Sequence, residues 1–161
     1  MKDLKNQIIE ILTENARYTN AQVADMVGVS EEEVNSAVKE LEKDGVIVKY
    51  SAILNTELLE EGQVEALIEV KVVPQKLMGF DAFAEELYHF NEVKSLYLMS
   101  GSFDLAIMVT GKNITDVAKF VSEKLGVIDG IVSVATHFIL KKYKIEGQVC
   151  KKQMIERQCI V

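Results

Sequence analysis

Apolar residues recur at helical spacing in three short segments at the beginning of the chain. The three stripes are Leu4, Ile8, Ile11 and Leu12; Val23, Ala24 and Val27; and Val34, Ala37, Val38 and Leu41. Spacings of three and four residues place each set on one face of a helix. The pattern therefore predicts three amphipathic helices around a small core, the first with Asp3 as its N-cap.

Polar residues mark where the second and third predicted helices begin and end. Thr19 with Gln22, and Ser30 with Glu33, have the spacing of capping boxes, in which side chains and backbone cap each other. Gly28 stands where a left-handed residue would end the second helix. The third helix is therefore expected to follow the second after a tight turn.

Three short helices with such a turn form a helix-turn-helix pattern. The third helix ends at Asp44 and Gly45, and residues 46–54 alternate weakly as a strand. In this motif the outer face of the third helix enters the major groove of double-stranded DNA. The candidate DNA-binding residues are Ser30, Glu32, Asn35, Ser36, Lys39, Lys43 and Lys49.

Strand and helix patterns alternate in the second half of the chain. The predicted elements are a strand at 64–72, a helix striped by Phe80, Phe83, Ala84 and Leu87, strands at 93–99 and 103–110, a helix striped by Ile114, Val117, Ala118, Val121 and Leu125, and a strand at 131–140. Pro74 stops the first strand, and Asn113 and Asp116 cap the second helix. The order β-α-β-β-α-β is that of a ferredoxin-like domain, so the predicted fold class is α+β.

The predicted division has four parts. Residues 1–50 form a winged helix-turn-helix domain, 51–62 a hinge strand and linker, 63–145 the ferredoxin-like domain and 146–161 a C-terminal tail. Right-handed crossovers put both helices of the second domain on one sheet face. The strands are nevertheless apolar on both sides. One strand has Phe103, Leu105, Ile107 and Val109 opposite Ala106 and Met108, and the last has Val132, Val134, Phe138 and Leu140 opposite Ile131, Ala135 and Ile139. The face without helices is therefore expected to be apolar as well. We therefore expect a second copy of the sheet to cover that face, in an obligate dimer or larger assembly.

Charge is unfavourable for a DNA-binding protein. The chain has a net charge of −7, and its first 50 residues carry six Lys or Arg against ten acidic residues. Phosphate neutralisation supplies most DNA affinity and requires cations at the interface. Glu31 and Glu32 would meet phosphates unfavourably unless they point aside. Two interpretations remain: a DNA-binding domain that is weak per site, or a winged helical module kept for packing or protein contact.

Other classes lose support from composition. No apolar run approaches the roughly 20 residues of a membrane span, and the N-terminal segment lacks a signal peptide's apolar core. Cys150 and Cys159 do not make a disulfide framework, so free thiols and a cytoplasmic location are expected. His89 and His137 lie far from both cysteines, so no metal spacing appears. No cofactor, catalytic residue or membrane partner is predicted.

The segment 93–109 consists of two apolar runs broken once, at Ser100-Gly101-Ser102. Asp104 is the single acid in an uncharged span from Ser95 to Gly111. The pattern predicts a hairpin turn that exposes backbone N–H groups beside one carboxylate. The alternative is a tight turn in which Asp104 satisfies its own backbone.

These motifs together resemble the Lrp/AsnC family of transcription regulators, the feast/famine proteins, over about residues 3–145. The resemblance rests on residues 20–24 (NAQVA), 27–30 (VGVS), 41–47 (LEKDGVI), 100–104 (SGSFD) and 136–141 (THFILK). It implies a winged helix-turn-helix, a hinge strand and a ferredoxin-like domain. It also implies dimers through face-to-face sheets, often assembled into octamers, with amino acids or related small metabolites bound between dimers.

The resemblance assigns candidate effector-binding residues, namely Ser100, Gly101, Ser102, Asp104 and Thr136. The turn amides would hold the effector's α-carboxylate and Asp104 would accept from its α-ammonium, with Thr136 beside the turn. In the alternative, Thr136 only fills space in the sheet, and His137 is a surface or dimer-interface residue. The third helix departs from the family, which usually carries Arg or Lys where Ala37 and Glu40 stand.

Two other functions remain open. One is an effector-binding interaction module that binds DNA weakly or not at all and acts through hetero-oligomers with basic paralogues. The other is an enzyme, since siroheme decarboxylases resemble the same two-domain architecture. Their chemistry would need an acid–base set or an Arg/His cluster. This chain offers only Arg17, Arg157 and two distant histidines, so we expect no enzymatic activity.

Overall fold

The computed structural model describes residues 3–59, 62–73 and 79–150. It divides into two compact units, Met1–Ile53 and Leu54–Val161, each with its own buried cluster. Predictions about Pro74, Cys159 and most of the tail fall outside the described residues.

Three helices form the N-terminal unit as the apolar stripes predict. They are α1 (Leu4–Glu14), α2 (Asn20–Val27) and α3 (Glu31–Lys43). The core consists of Ile8, Val23, Ala24, Val34, Ala37, Val38 and Leu41, each less than 9% exposed. All four apolar residues of the α3 stripe are therefore buried, which confirms the predicted orientation of this helix.

Two details of this unit differ from the sequence-based prediction. The Asp3 side chain makes no capping hydrogen bond; its backbone carbonyl instead accepts from the N–H of Gln7 at 3.2 Å. Residues 46–55 form no strand, and Val46 and Val48 are 57% and 89% exposed. A single weakly alternating segment has no neighbour to pair with inside this unit, so its pattern alone does not make a ladder.

A four-stranded antiparallel sheet organises the C-terminal unit. After a 3₁₀ turn at Thr56–Leu58, the elements are β1 (Val64–Val72), α4 (Gly79–Tyr88), β2 (Val93–Leu98), β3 (Leu105–Gly111), α5 (Ile114–Lys119) and β4 (Ile131–Phe138). The strand order is β2-β3-β1-β4, so β1 and β3 are central. A two-residue pair, β5 (Lys144–Ile145) with β6 (Gln148–Val149), follows. This is the predicted ferredoxin-like order.

The chain after α5 does not continue as a regular α-helix. A π-helical turn at Phe120–Lys124 and a 3₁₀ turn at Leu125–Val127 follow it. The π turn adds a residue to one turn and rotates the inward face. Val117, Phe120 and Leu125 are buried, whereas the predicted stripe members Ile114 and Ala118 are exposed.

Residues on alternate faces of the sheet have different surroundings. The face toward α4 and α5 holds the core, including Ala66, Ile68, Val70, Ile107 and Val109. The opposite face, called here the open face, mixes apolar and charged residues, with Glu69 between Ala106 and Ala135. It comprises Glu65, Leu67, Glu69 and Lys71 of β1, Ser95 and Tyr97 of β2, Ala106, Met108 and Thr110 of β3, and Ser133, Ala135 and His137 of β4. The prediction that the strands are apolar on both sides is therefore only partly right for this face.

A bulge changes which residues of β4 face the core. Between Lys71 and Val72 the register shifts, and Val72 pairs with Ile131 instead of Val132. Ile131 consequently packs against the core and Val132 is 60% exposed, the reverse of the predicted alternation. Leu140 lies beyond the end of β4 and is 96% exposed, so the predicted strand to residue 140 is two residues too long.

Candidate functional site

A capping box and a left-handed glycine fix the turn between α2 and α3, and a second capping box opens α2. The N–H of Ser30 donates to Glu33 Oε2 at 2.9 Å, and the N–H of Glu33 donates to Ser30 Oγ at 3.3 Å. Thr19 and Gln22 make the same reciprocal pair at α2. Gly28 ends α2 with φ +75°, the left-handed conformation expected. The helix-turn-helix geometry thus follows from contacts three or four residues apart.

One exposed stripe of α3 carries the groups available to DNA. Its members Glu32, Ser36, Lys39 and Lys43 are spaced by three and four residues, and all are exposed. The two lysines lie toward the C-terminal end, while Glu31, Glu32 and Glu33 fill the first turn. The stripe therefore offers phosphate-binding cations at one end and repels phosphate at the other.

Glu40, beside this stripe, is held by α1. Lys5 Nζ lies 2.8 Å from Glu40 Oε2, and this hydrogen bond lowers the pKa of Glu40 and raises the pKa of Lys5. Ala37 is only 8% exposed and belongs to the helical core. Ala37, where the family usually has Arg or Lys, is therefore a core residue and is not available to DNA. The negative charge of Glu40, the other position that departs from the family, is partly compensated by Lys5.

Two other predicted DNA-binding residues, Ser30 and Asn35, make hydrogen bonds within the protein. Ser30 is engaged in its capping box, and Asn35 Oδ1 accepts from Asn20 Nδ2 at 3.4 Å. Lys49 is exposed in the segment after α3, where the Tyr50 hydroxyl donates to Glu42 Oε1 at 3.0 Å. Glu32, Ser36, Lys39, Lys43 and Lys49 are thus the predicted residues that are exposed and take no part in these contacts.

Asp104 connects the β2–β3 turn to the end of β1. Its Oδ2 accepts from the N–H of Val72 at 2.9 Å, and its own N–H donates to the carbonyl of Val70 at 3.0 Å. The carbonyl of Asp104 accepts from the N–H of Met99 at 2.8 Å. The carboxylate therefore caps a neighbouring strand 32 residues away in sequence, a role that neither sequence interpretation included.

The residues between Met99 and Asp104 are arranged as an exposed turn. Ser100, Gly101 and Ser102 are all exposed, and Gly101 has φ +149°. Within the described part of the chain, the N–H groups of these three residues donate to no protein acceptor. A residue with a Cβ rarely adopts this backbone conformation, so glycine is required for the turn's shape.

Thr136 lies apart from this turn within one chain. It is level with Ile68 in the register and shares the core-facing side of the sheet. Relative to Thr136, Asp104 is three residue positions further along the strand direction. It is also two strands away, because β1 lies between β3 and β4. Strand spacing puts the two residues roughly 14 Å apart. A single subunit thus brings Ser100, Gly101, Ser102 and Asp104 together and leaves Thr136 apart from them, on the core-facing side of the edge strand β4.

The described residues add neither a metal centre nor a membrane span to the two candidate sites. Among the described residues, no three His, Cys, Asp or Glu side chains are grouped so that they could hold a metal ion. The helices of residues 3–59, 62–73 and 79–150 are all too short or too polar to cross a bilayer. Cys150 is a half-buried free thiol.

The two units therefore define a class of protein that joins a helix-turn-helix to a ferredoxin-like domain with an exposed polar turn. Residues 1–48 match the winged helix-turn-helix DNA-binding family, and residues 65–149 match the Lrp/AsnC ligand binding domain. The chain belongs to the Lrp/AsnC family of helix-turn-helix transcriptional regulators, and its second domain is that family's ligand-binding domain.

Whole-chain relatives agree with this assignment. The uncharacterized HTH-type transcriptional regulator YugG of Bacillus subtilis is 43% identical over all of this chain and 98% of its own length. The regulator LrpA of Pyrococcus horikoshii is 35% identical over 85% of this chain and 94% of its own. A crystal structure of a Neisseria meningitidis transcriptional regulator complexed with L-Met superposes with TM-score 0.72 at 25% identity, over 92% of this chain and 96% of the other.

Proposed function

We propose that this regulator binds an amino acid at the β2–β3 turn and that the bound effector modulates its binding to operator DNA. The observation that carries the proposal is the arrangement of Asp104 beside three unpaired, exposed backbone N–H groups. The L-Met complex of the Neisseria meningitidis structure supports an amino acid as the ligand class.

The turn suits both ends of an α-amino acid. Only Oδ2 of Asp104 has a protein donor within the described residues, so Oδ1 is available to an α-ammonium. The exposed amides of Ser100, Gly101 and Ser102 can donate to an α-carboxylate. The Val72 bond holds the Asp104 carboxylate in place before the ligand arrives, which reduces the ordering cost of binding.

DNA binding by one unit is expected to be weak. Lys39, Lys43 and Lys49 are the candidate phosphate contacts, and the acidic first turn of α3 opposes them. Several units joined in one oligomer raise the apparent affinity by effective concentration, without any new contact to DNA. We therefore propose a cytoplasmic homodimer, built through the open face and assembled further into an octamer, as the DNA-binding species.

A second candidate is the interaction module that works through hetero-oligomers with basic paralogues. The three acids at the start of α3 favour it. A gel-shift series across salt, using DNA from the gene's own upstream region, separates the two. A specific complex at low salt that weakens in Lys39→Ala/Lys43→Ala supports autonomous binding. No specific complex at any salt, with or without amino acids, supports the interaction module.

The effector site is tested by thermal-shift screening with the twenty amino acids. A ligand that binds only the folded state raises Tm with concentration. Asp104→Asn is the sharpest variant because an amide oxygen still accepts from Val72 while the negative charge is removed. Asp116→Asn is the matched control, since Asp116 stands at the start of α5, beyond the opposite end of β3. A Tm shift that disappears in the first variant and persists in the second is the expected result; no shift with any amino acid would contradict the effector proposal.

A further inference from the structure

Two opposite charges on the open face lack a lasting partner among the described residues. Glu69 lies between Ala106 and Ala135, and its one ion-pair contact there is His137 Nε2, at 3.5 Å, which carries a positive charge only when protonated. Lys71 is exposed and makes no ion pair in the part of the chain that the structure describes. A partner that covers this face must therefore meet one carboxylate and one ammonium group.

The other positions of the open face do not add to these two charges. Glu65 pairs with Lys142, and both side chains are less than one-quarter exposed. The positions that β2 and β3 contribute to this face are uncharged. Glu69 and Lys71 are two residues apart on the same side of β1, so roughly 6.6 Å separates their Cα atoms. The face is therefore complementary in charge to a reversed copy of itself.

We propose that Glu69 of each subunit pairs with Lys71 of the partner subunit in the dimer built through the open face. This inference rests on the proposed dimer and adds the contacts that set its register. A twofold interface repeats every contact, so one alignment forms both ion pairs. In that alignment the two β1 strands lie face to face and antiparallel, with the twofold axis at the level of Val70.

Other alignments of the two faces leave these charges uncompensated. An axis at the level of Glu69 or Lys71 brings like charges together, and an axis at Leu67 brings Glu69 onto Glu65 of the partner subunit. An axis at the level of Ile68 buries the Glu69 carboxylate against an apolar side chain, which is costly. Parallel β1 strands place each charge on its own copy, and β1 over the partner's β3 leaves both charges unpaired. The charges therefore select one register by disfavouring the others.

Charge reversal tests the pairing in the full chain. The dissociation constant of the monomer–dimer step is measured by analytical ultracentrifugation of a dilution series at pH 8, with reductant present. Glu69→Lys and Lys71→Glu should each raise it at least about tenfold, because each variant places two like-charge pairs in the interface. Glu85→Lys on α4 and Lys119→Glu on α5 match these charge changes at exposed positions outside the open face, and should leave the dissociation constant unchanged.

The double variant Glu69→Lys/Lys71→Glu is the decisive case because it keeps the net charge of the wild type. Exchanging the two charges preserves both ion pairs in the proposed register, so its dissociation constant should return to within about threefold of the wild-type value. An equimolar mixture of the two single variants should form heterodimers more tightly than either variant forms homodimers. A heterodimer also shows that both variants are folded.

The outcomes separate the pairing from the dimer itself. If either single variant dimerises like the wild type, or if the double variant stays as weak as the single variants, the Glu69–Lys71 pairing is overturned while the dimer stands. A wild-type chain that stays monomeric throughout the dilution series would overturn the proposed dimer as well.

Discussion

The α2–α3 turn and the β2–β3 turn each hold a candidate binding surface, but they are stabilised in different ways. The first is closed by one capping box, between Ser30 and Glu33, which are three apart in sequence. The second is held by Asp104 bonding to Val72, 32 residues away. Local geometry therefore specifies the DNA-binding surface, whereas the effector turn has its shape only when the sheet is assembled. A substitution in the sheet should consequently affect the effector site more than the helix-turn-helix.

The largest effect is expected from the core beneath the sheet. Ile68 is fully buried between β3 and β4, and Ile68→Ala should cost about 2–5 kcal/mol through lost burial and a residual cavity. Its counterpart is Ile8→Ala in the helical core, which is also fully buried. Amide hydrogen exchange should show lost protection mainly in the unit that carries each change. Equal loss in both units for either variant would contradict the presence of two separate cores.

A smaller loss is expected when the carboxylate that joins the turn to β1 is removed. Asp104→Ala leaves the N–H of Val72, a residue only 5% exposed, without its acceptor, which should cost about 2 kcal/mol. Ser30→Ala removes a cap at an exposed helix start and should cost about 1 kcal/mol. Denaturant titration monitored by circular dichroism gives both values. Asp104→Asn should be close to wild type; a loss as large as that of alanine would mean that the charge, not the strand cap, stabilises the turn.

The two turns also differ in the backbone conformation of their glycines. Gly28 (φ +75°) occupies the left-handed helical region, which asparagine tolerates, whereas Gly101 (φ +149°) lies where residues with a Cβ are rare. Nothing lies within 4 Å of a Cβ built at either position, so only backbone strain is tested. We expect Gly28→Asn to cost less than about 1 kcal/mol and Gly101→Asn about 1–2 kcal/mol. Thermal melts of the two variants measure this difference, and equal Tm losses would contradict it.

The sequence predicted most of what local contacts determine. Both capping boxes, the Gly28 terminus, the α3 core face and the β-α-β-β-α-β order agree with the structure. The sequence-based prediction was incomplete where the local structure depends on residues far away in the chain. The Asp104–Val72 bond, the bulge that turns Ile131 inward and the π turn at Phe120 depend on how neighbouring strands and helices pack. The family resemblance placed Thr136 beside the turn, but within one subunit the register separates them.

The smallest expected effects concern two carboxylates, one held by a residue close in sequence and the other by a distant residue. The pKa of Glu33 is lowered by hydrogen bonds from the N–H and hydroxyl of Ser30, its neighbour in the α3 capping box. The pKa of Glu92 is lowered mainly by its hydrogen bond to Lys124, at 2.6 Å, in the π turn. A depressed folded-state pKa stabilises the protein above the unfolded-state value of about 4.3. This stabilisation is lost as pH falls through that value toward the folded-state pKa.

Both carboxylates should therefore contribute to a decline in stability between pH 6 and pH 3. Glu33→Gln keeps a capping-box side chain without the titrating charge, so its stability should fall less steeply than wild type over this range. Glu92→Gln should also flatten the decline, but it weakens the contact with Lys124 and lowers stability at pH 7. Denaturant midpoints at half-unit pH intervals measure both slopes. If the Glu33 variant loses as much stability at pH 7 as the Glu92 variant, the distinction between a locally satisfied carboxylate and one that depends on tertiary packing does not hold.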